Sequence, residues 1–128
     1  QIFCKKNPER YRLIDNLGQL RYLSCLNHCA LMVGNSSSGL VEAGSFKLPV
    51  VNIGDCQKER IRPASVNDCE PNRQSISKAL KKLYSKEFQA IITNVTNPYG
   101  EGGASENFFN IFKDQSIPRD LKKRFFDL

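Results

Sequence analysis

The chain has 128 residues, 40% of them apolar and 25% charged, with a formal net charge of +6. That length supports one domain with a real core and is short for a two-domain enzyme, and the composition is that of an ordinary globular domain. The basic excess suits a phosphorylated ligand, nucleic acid or a membrane surface. Its clusters, Lys5-Lys6, Lys81-Lys82 and Lys122-Lys123-Arg124, lie in different elements without interleaved aromatics. Neither nucleic acid nor membrane is therefore expected as a partner, and a solvated surface is the plainer reading.

Five cysteines (Cys4, Cys25, Cys29, Cys56, Cys69) are an odd number without a framework spacing, and no leader-like or membrane-spanning apolar run accompanies them. Reduced thiols in a cytoplasmic protein are the expectation, which leaves the sequons at Asn35 and Asn94 unused. The sequence opens at Gln1 without a methionine, as an excised piece of something longer would.

In chain order, Tyr11 to Asp15 reads as a short strand ended by Asn16-Leu17-Gly18. Leu20, Leu23 and Leu26 recur at helical spacing over residues 20–28. Ala30 to Val33 is a continuous apolar run, the pattern of a buried parallel strand. A helix through Leu40, Val41 and Ala43 to Phe46 is expected next, then a strand over Leu48 to Ile53 with Pro49 at its entrance. Ala64 to Cys69 reads as a further strand. Asn72 to Lys86 is the clearest helix, with Ile76, Ala79, Leu80, Leu83 and Tyr84 on one face and Lys78, Lys81 and Lys82 on the other. Pro98 to Gly103 is turn-rich, Ser105 is expected to cap a helix carrying Phe108, Phe109 and Phe112, and Leu121 to Phe126 to pack back on the body.

Strand–helix alternation predicts an α/β fold, a Rossmann-like parallel sheet flanked by helices, with ligands bound beyond the carboxyl ends of the strands. Three loops would meet on that edge: Asn16-Leu17-Gly18, the segment after Val33, and Gly54-Asp55-Cys56.

The segment after Val33 carries most of the chemistry: Gly34-Asn35-Ser36-Ser37-Ser38-Gly39-Leu40-Val41-Glu42. Two glycines permit tight turns, and three hydroxyls gather with free N–H groups at a helix start, which makes an anion site. Glu42, one turn on, is placed to accept hydrogen bonds from a ribose diol, so the pair of features fits a nucleoside diphosphate. A flexible turn with a good N-cap, and a Glu42 that merely complements the helix dipole, remain open on the residues alone. Other chemistries fit less well. No Gly-Lys-Ser/Thr follows, so this is not a Walker loop, and the second glycine comes one residue too late for a nucleophile elbow. His28, the only histidine, lies at the far end of the following strand from the loop, which argues against a Ser-His-Asp triad. Cys25, His28 and Cys29 share a helix face, but zinc wants a fourth ligand, so packing is the favoured reading and no metal is expected.

Beside this reading stands a resemblance. Tyr22-Leu23-Ser24, the block Met32 to Glu42, Pro49-Val50-Val51-Asn52-Ile53-Gly54-Asp55 with Gln57 and Arg60, and Asn97-Pro98-Tyr99-Gly100-Glu101-Gly102 resemble the hydrolysing UDP-N-acetylglucosamine 2-epimerases, from about Tyr11 onward. The resemblance implies that residues 1–128 are the C-terminal, UDP-binding half of a two-domain glycosyltransferase-B-type fold. It implies that Ser36, Ser37, Ser38 and Gly39 hold the diphosphate, Glu42 the ribose, and Gly18 lies near the uracil, with Asn35 and Arg60 as further contacts. The reaction it implies eliminates UDP from UDP-N-acetylglucosamine to a glycal and adds water, giving N-acetylmannosamine and UDP. No cofactor is implied, the catalytic carboxylates and histidine are expected in the N-terminal domain or the hinge, outside this sequence, and the intact protein is expected to be a homodimer. Alone, this chain is expected to bind weakly and to catalyse nothing.

Two positions depart from the pattern. Where the family usually reads Gly-Asp-Arg-Gln-Lys-Gly-Arg, this chain has Cys56 for the first arginine and Glu59 for the second glycine. Arg60 and Arg62 are the cations left to replace the lost contact. The alternatives are a non-catalytic nucleotide-sugar-binding or interaction module, and a glycosyltransferase domain of the same fold.

Overall fold

The computed structural model describes residues 2–114. At its centre is a parallel sheet in the order β1 (Met32–Gly34), β2 (Val50–Ile53), β3 (Val66–Cys69), with Met32 paired to Val50 and Val51 to Asn67. The chain crosses from β1 to β2 through α3 (Ser38–Val41) and a 3-10 turn (Ala43–Phe46), and from β2 to β3 through an irregular segment, residues 54–65. Helices α1 (Ile2–Lys6) and α2 (Gly18–His28) precede the sheet. Helices α4 (Arg73–Leu83), α5 (Lys86–Thr93) and α6 (Ala104–Asp114) follow it.

Successive side chains of a strand point to opposite faces, and β2 uses both. Val50 packs with Leu26, Ala43 and Leu48 under α2 and the α3 crossover, while Val51 packs with Ala79, Leu83, Phe88 and Ile92 under α4 and α5. Leu40, Ala43 and Val51 are completely buried, each large side chain contributing on the order of 1.5–3 kcal/mol by leaving water. The expected Rossmann-like α/β arrangement is thus present: a parallel sheet with helices on both faces.

Several boundaries differ from the sequence reading, each for a local reason. Tyr11 to Asp15 is not a strand. Among the described residues it has no ladder partner, and Tyr11 instead turns back on α1, its ring 4.7 Å from that of Phe3 and its N–H on the Asn7 carbonyl. The long helix expected to Lys86 stops at Tyr84. Ser85 is extended and accepts the Phe88 N–H at 3.2 Å, so it starts α5, which the sequence reading did not separate. Asn72 caps α4 through the Ser75 N–H at 2.9 Å. Helix α6 begins at Ala104, with Gly103 accepting the Asn107 N–H, so Ser105 lies inside the first turn rather than capping it. Phe108, Phe109 and Phe112 are on this helix and exposed. The segment Leu121 to Phe126 lies outside the described residues.

The crossover after β1 is seated on the sheet by a missing side chain. Gly39 is buried, and a Cβ there would stand 2.9 Å from Val50 Cγ1. Gly39→Ala is expected to lower stability to urea by about 1–3 kcal/mol, because neither the strand nor the helix turn can move aside freely. An unchanged unfolding midpoint would mean that α3 does not rest on β2 as described.

Candidate functional site

The loop 35–37 leaves β1 at its carboxyl end and enters α3 directly. Ser37 already has helical backbone angles, φ −59° and ψ −26°, and its side chain makes no cap hydrogen bond. The Gly39 N–H donates to the Ser36 carbonyl, those of Leu40 and Val41 to Ser37, and that of Glu42 to Ser38. The Ser38 N–H donates to Ser36 Oγ at 3.3 Å. Among the described residues, the N–H groups of Ser36 and Ser37 and the Ser37 hydroxyl have no partner. Two adjacent N–H groups and a hydroxyl, unpartnered among the described residues at the end of a parallel strand, form a donor set suited to an anion. The expected continuous helix from Leu40 to Phe46 is absent: α3 lasts one turn and tightens into the 3-10 turn. Little macrodipole accumulates over so few residues, so anion affinity rests on individual N–H groups.

The expected site residues separate into those free to meet a ligand and those already engaged. Ser36 and Ser37 are exposed, and Arg60 is exposed with no side-chain partner among the described residues. Glu42 is half-buried at the end of α3, one turn after Ser38, and its carboxylate makes no hydrogen bond or ion pair among the described residues. The Ser38 hydroxyl is held by the Tyr22 hydroxyl of α2, which ties α2 to the loop. Gly39 spends its N–H inside the turn and serves close packing. Gly18 sits at the start of α2 with φ 65°, its N–H on Asn16 Oδ1 at 2.7 Å. Since no strand precedes it among the described residues, only two of the three loops expected on the carboxyl edge, those after β1 and β2, leave a strand there.

The second of those loops, residues 54–62, is tied to the first. Gln57, only 9% exposed, donates from Nε2 to the Asn35 carbonyl at 2.9 Å, and Asn35 Nδ2 lies 3.9 Å from Cys56 Sγ. Arg62, one of the two cations expected to reach a phosphate, is committed elsewhere. It donates to the carbonyls of Gln57 and Arg60 and pairs with Asp68 Oδ2 at 2.8 Å. The Asn-Pro-Tyr loop braces the opposite side. Asn97 Nδ2 donates to the Val41 carbonyl and to Ser45 Oγ, and the Tyr99 hydroxyl donates to the Ile61 carbonyl at 2.9 Å. This loop was visible in the sequence by its resemblance, whereas its bonds to the end of α3 and the 3-10 turn depend on partners more than 50 residues away.

An open cleft of about 600 Å³ lies at the carboxyl ends of β2 and β3, lined by Gly54, Asp55, Lys58, Asp68, Glu70 and Ser75 among others. With Asp68 paired to Arg62, the carboxylates of Asp55 and Glu70 still outnumber Lys58, which disfavours a diphosphate there. Cys69 also borders it, and burial, with Asp68 and Glu70 beside it, pushes that thiol up from its ordinary range, so it stays protonated at neutral pH. All five cysteines are free, Cys29 and Cys56 exposed. Among the described residues no helix is long and apolar enough to cross a membrane, and no group of three or more His, Cys, Asp or Glu side chains is placed to hold a metal.

The family described as UDP-N-acetylglucosamine 2-epimerase matches residues 2–113. The chain belongs to this family. It is 46% identical over 89 residues to a GDP/UDP-N,N'-diacetylbacillosamine 2-epimerase (hydrolyzing) of Campylobacter jejuni, covering 70% of this chain and 23% of that protein. It is 34% identical over 130 residues to the polysialic acid biosynthesis protein P7 of Escherichia coli, covering all of this chain and 32% of that protein. A UDP-N,N'-diacetylbacillosamine 2-epimerase (hydrolyzing) of Legionella pneumophila is 35% identical over 102 residues, 80% of this chain and 26% of its own length. The chain therefore spans about a quarter to a third of the curated relatives it matches.

As a member of the 2-epimerase family, the chain departs from the Gly-Asp-Arg-Gln-Lys-Gly-Arg pattern at two places with different physical consequences. Cys56 is exposed beside Asn35, so a side chain at this position reaches the serine loop. Glu59 holds φ 71°, a left-handed conformation that glycine adopts at no steric cost and other residues adopt at about 1–2 kcal/mol. Glu59→Gly is expected to raise stability by roughly 0.5–1 kcal/mol, the relief of strain exceeding the added freedom of the unfolded chain. A stability loss in urea unfolding would contradict the left-handed backbone at this position.

Proposed function

We propose that this chain is the UDP-binding part of a hydrolysing UDP-sugar 2-epimerase, from within the C-terminal half of a two-domain glycosyltransferase-B-type protein. The observation that carries the reading is the donor set of Ser36 and Ser37 at the carboxyl end of β1, with the half-buried Glu42 one turn further on, all without partners among the described residues. The N–H groups and the Ser37 hydroxyl take the diphosphate, and the Glu42 carboxylate accepts hydrogen bonds from the ribose diol. Arg60 adds a cation from the second loop.

In the reaction of the intact protein, a base removes the proton at C2 of the sugar. The C1–O bond breaks with its electron pair passing to UDP, and a C1–C2 double bond is left. Water then adds at C1, and a proton returns to C2 on the opposite face. Charge accumulates on the departing diphosphate, so fixed N–H donors aimed at it favour the transition state over the bound substrate. The base, the acid and the sugar pocket are supplied by the rest of the protein, and this chain's share is to hold the leaving group.

The sugar is UDP-N-acetylglucosamine in the first reading. A diacetamido UDP-sugar is a second reading, favoured by the similarity to the Campylobacter and Legionella N,N'-diacetylbacillosamine 2-epimerases. The residues above address only the diphosphate and ribose, which both substrates share.

Calorimetric titration of the chain with UDP should give saturable heat at millimolar concentration or below. Ser37→Ala and Glu42→Ala should each weaken binding roughly tenfold, the value of one charge-assisted hydrogen bond. Cys56→Arg should strengthen it by restoring a cation beside Asn35. A folded chain that shows no heat with millimolar UDP would sink the proposal.

A further inference from the structure

We propose that Gln57 is the positioning residue of the serine loop, acting through a polar chain that runs Asn35–Gln57–Arg62–Asp68–Asn52, in which Gln57 and Asn52 are buried and the Arg62–Asp68 pair is partly exposed. The inference rests on the UDP-binding reading for its consequence, but its geometry stands apart from it.

Each link is present. Gln57 Nε2 donates to the Asn35 carbonyl at 2.9 Å, which belongs to the same peptide unit as the Ser36 N–H. The Gln57 carbonyl in turn accepts from Arg62 Nη2 at 3.0 Å. Arg62 Nε pairs with Asp68 Oδ2 at 2.8 Å, and Asp68 Oδ1 accepts from Asn52 Nδ2 at 2.7 Å. Asn52 sits on β2, 1% exposed, and is paired in register with Asp68 on β3. The chain thus starts in the central strand and ends on the carbonyl that fixes the peptide plane between Asn35 and Ser36. Rotating that plane would rotate the Ser36 N–H with it, because carbonyl and amide belong to one planar unit.

The chemistry of position 57 suits this role and little else. A glutamine there is over nine-tenths buried, yet Oε1 is left without a partner among the described residues. Keeping a buried, half-satisfied amide is costly in stability when an apolar residue of the same length would fill the space. The retained donor is what the loop uses. Arg62, freed from any phosphate role by its commitment to Asp68 and the Gln57 carbonyl, locks the backbone that presents this amide. Its planar fork makes both contacts at once, which a lysine would not.

The test compares the chain with Gln57→Met, which keeps the length and burial of the side chain and removes the donor, and with Arg62→Lys. In amide NMR spectra without UDP, Gln57→Met should shift the Ser36 and Ser37 peaks while leaving those of α4 and α5 in place. UDP affinity should fall roughly tenfold, as for loss of a preorganised hydrogen bond. Arg62→Lys should give the same pattern more weakly, and it stands in if Gln57→Met does not fold. Unmoved Ser36 and Ser37 peaks would overturn the inference, as would changes spread evenly over the chain, the mark of a residue that only fills space. If the unsubstituted chain binds no UDP, the ligand reading fails, and the NMR arm still decides the positioning role. If it binds UDP and Gln57→Met binds equally well, the positioning role fails and the ligand reading survives.

Discussion

Strand β2 is paired on both edges and packed on both faces, and the remainder of the structure is arranged to cover it. Val50, Val51 and Asn52 are each at most 2% exposed. The two valines settle which helices lie on which side, and the polar Asn52 near the carboxyl end donates from Nδ2 to Asp68, while its Oδ1 has no partner among the described residues. Burying an amide in a sheet is costly for each group left without a hydrogen bond. That cost turns the carboxyl edge of the sheet into a polar platform, and the two loops that rise from β1 and β2 are held to it and to each other.

A phosphate site needs donors that are free yet fixed, two demands that pull against each other. Free N–H groups come from a loop that has not closed its own turns, and such loops are mobile unless something else restrains them. Here α3 is too short to restrain the loop by a long helix. Restraint comes from outside: Gly39 allows contact with Val50, Tyr22 holds Ser38, Asn97 holds the Val41 carbonyl, and Gln57 holds the Asn35 carbonyl. Four tethers from four different elements surround two unpartnered amides. A loop whose glycines and serines served flexibility alone would not be bound in this way.

Much of the fold was legible in the sequence because it follows from periodicity. Apolar runs marked β1 and β2, the 3.6-residue stripe marked α4, and Pro49 marked the entrance of a strand. What escaped the pattern depends on partners distant in the chain. Tyr11 to Asp15 has strand composition but no strand beside it among the described residues, and composition cannot supply a ladder. The break at Tyr84–Ser85 hides within a continuous helical stripe, although Ser85 followed by Lys86-Glu87 is a readable helix start. At the site, the serines and Glu42 were visible as residue types, but their division into free and engaged groups was not. Ser38 and Arg62 looked like ligand contacts until Tyr22 and Asp68 were found on them. The glycine pattern at position 59 acquired a reason only with the left-handed backbone there.

A chemical-shift map of the chain titrated with UDP tests the central claim, because the serine loop and the acidic cleft occupy neighbouring stretches of one sheet edge. The Ser36 and Ser37 amides should move most and in a saturable way, Glu42 and its neighbours less, while Glu70 and Ser75 in the cleft stay in place. Largest shifts at residues 54–58 and 68–75, with Ser36 and Ser37 unmoved, would contradict the account.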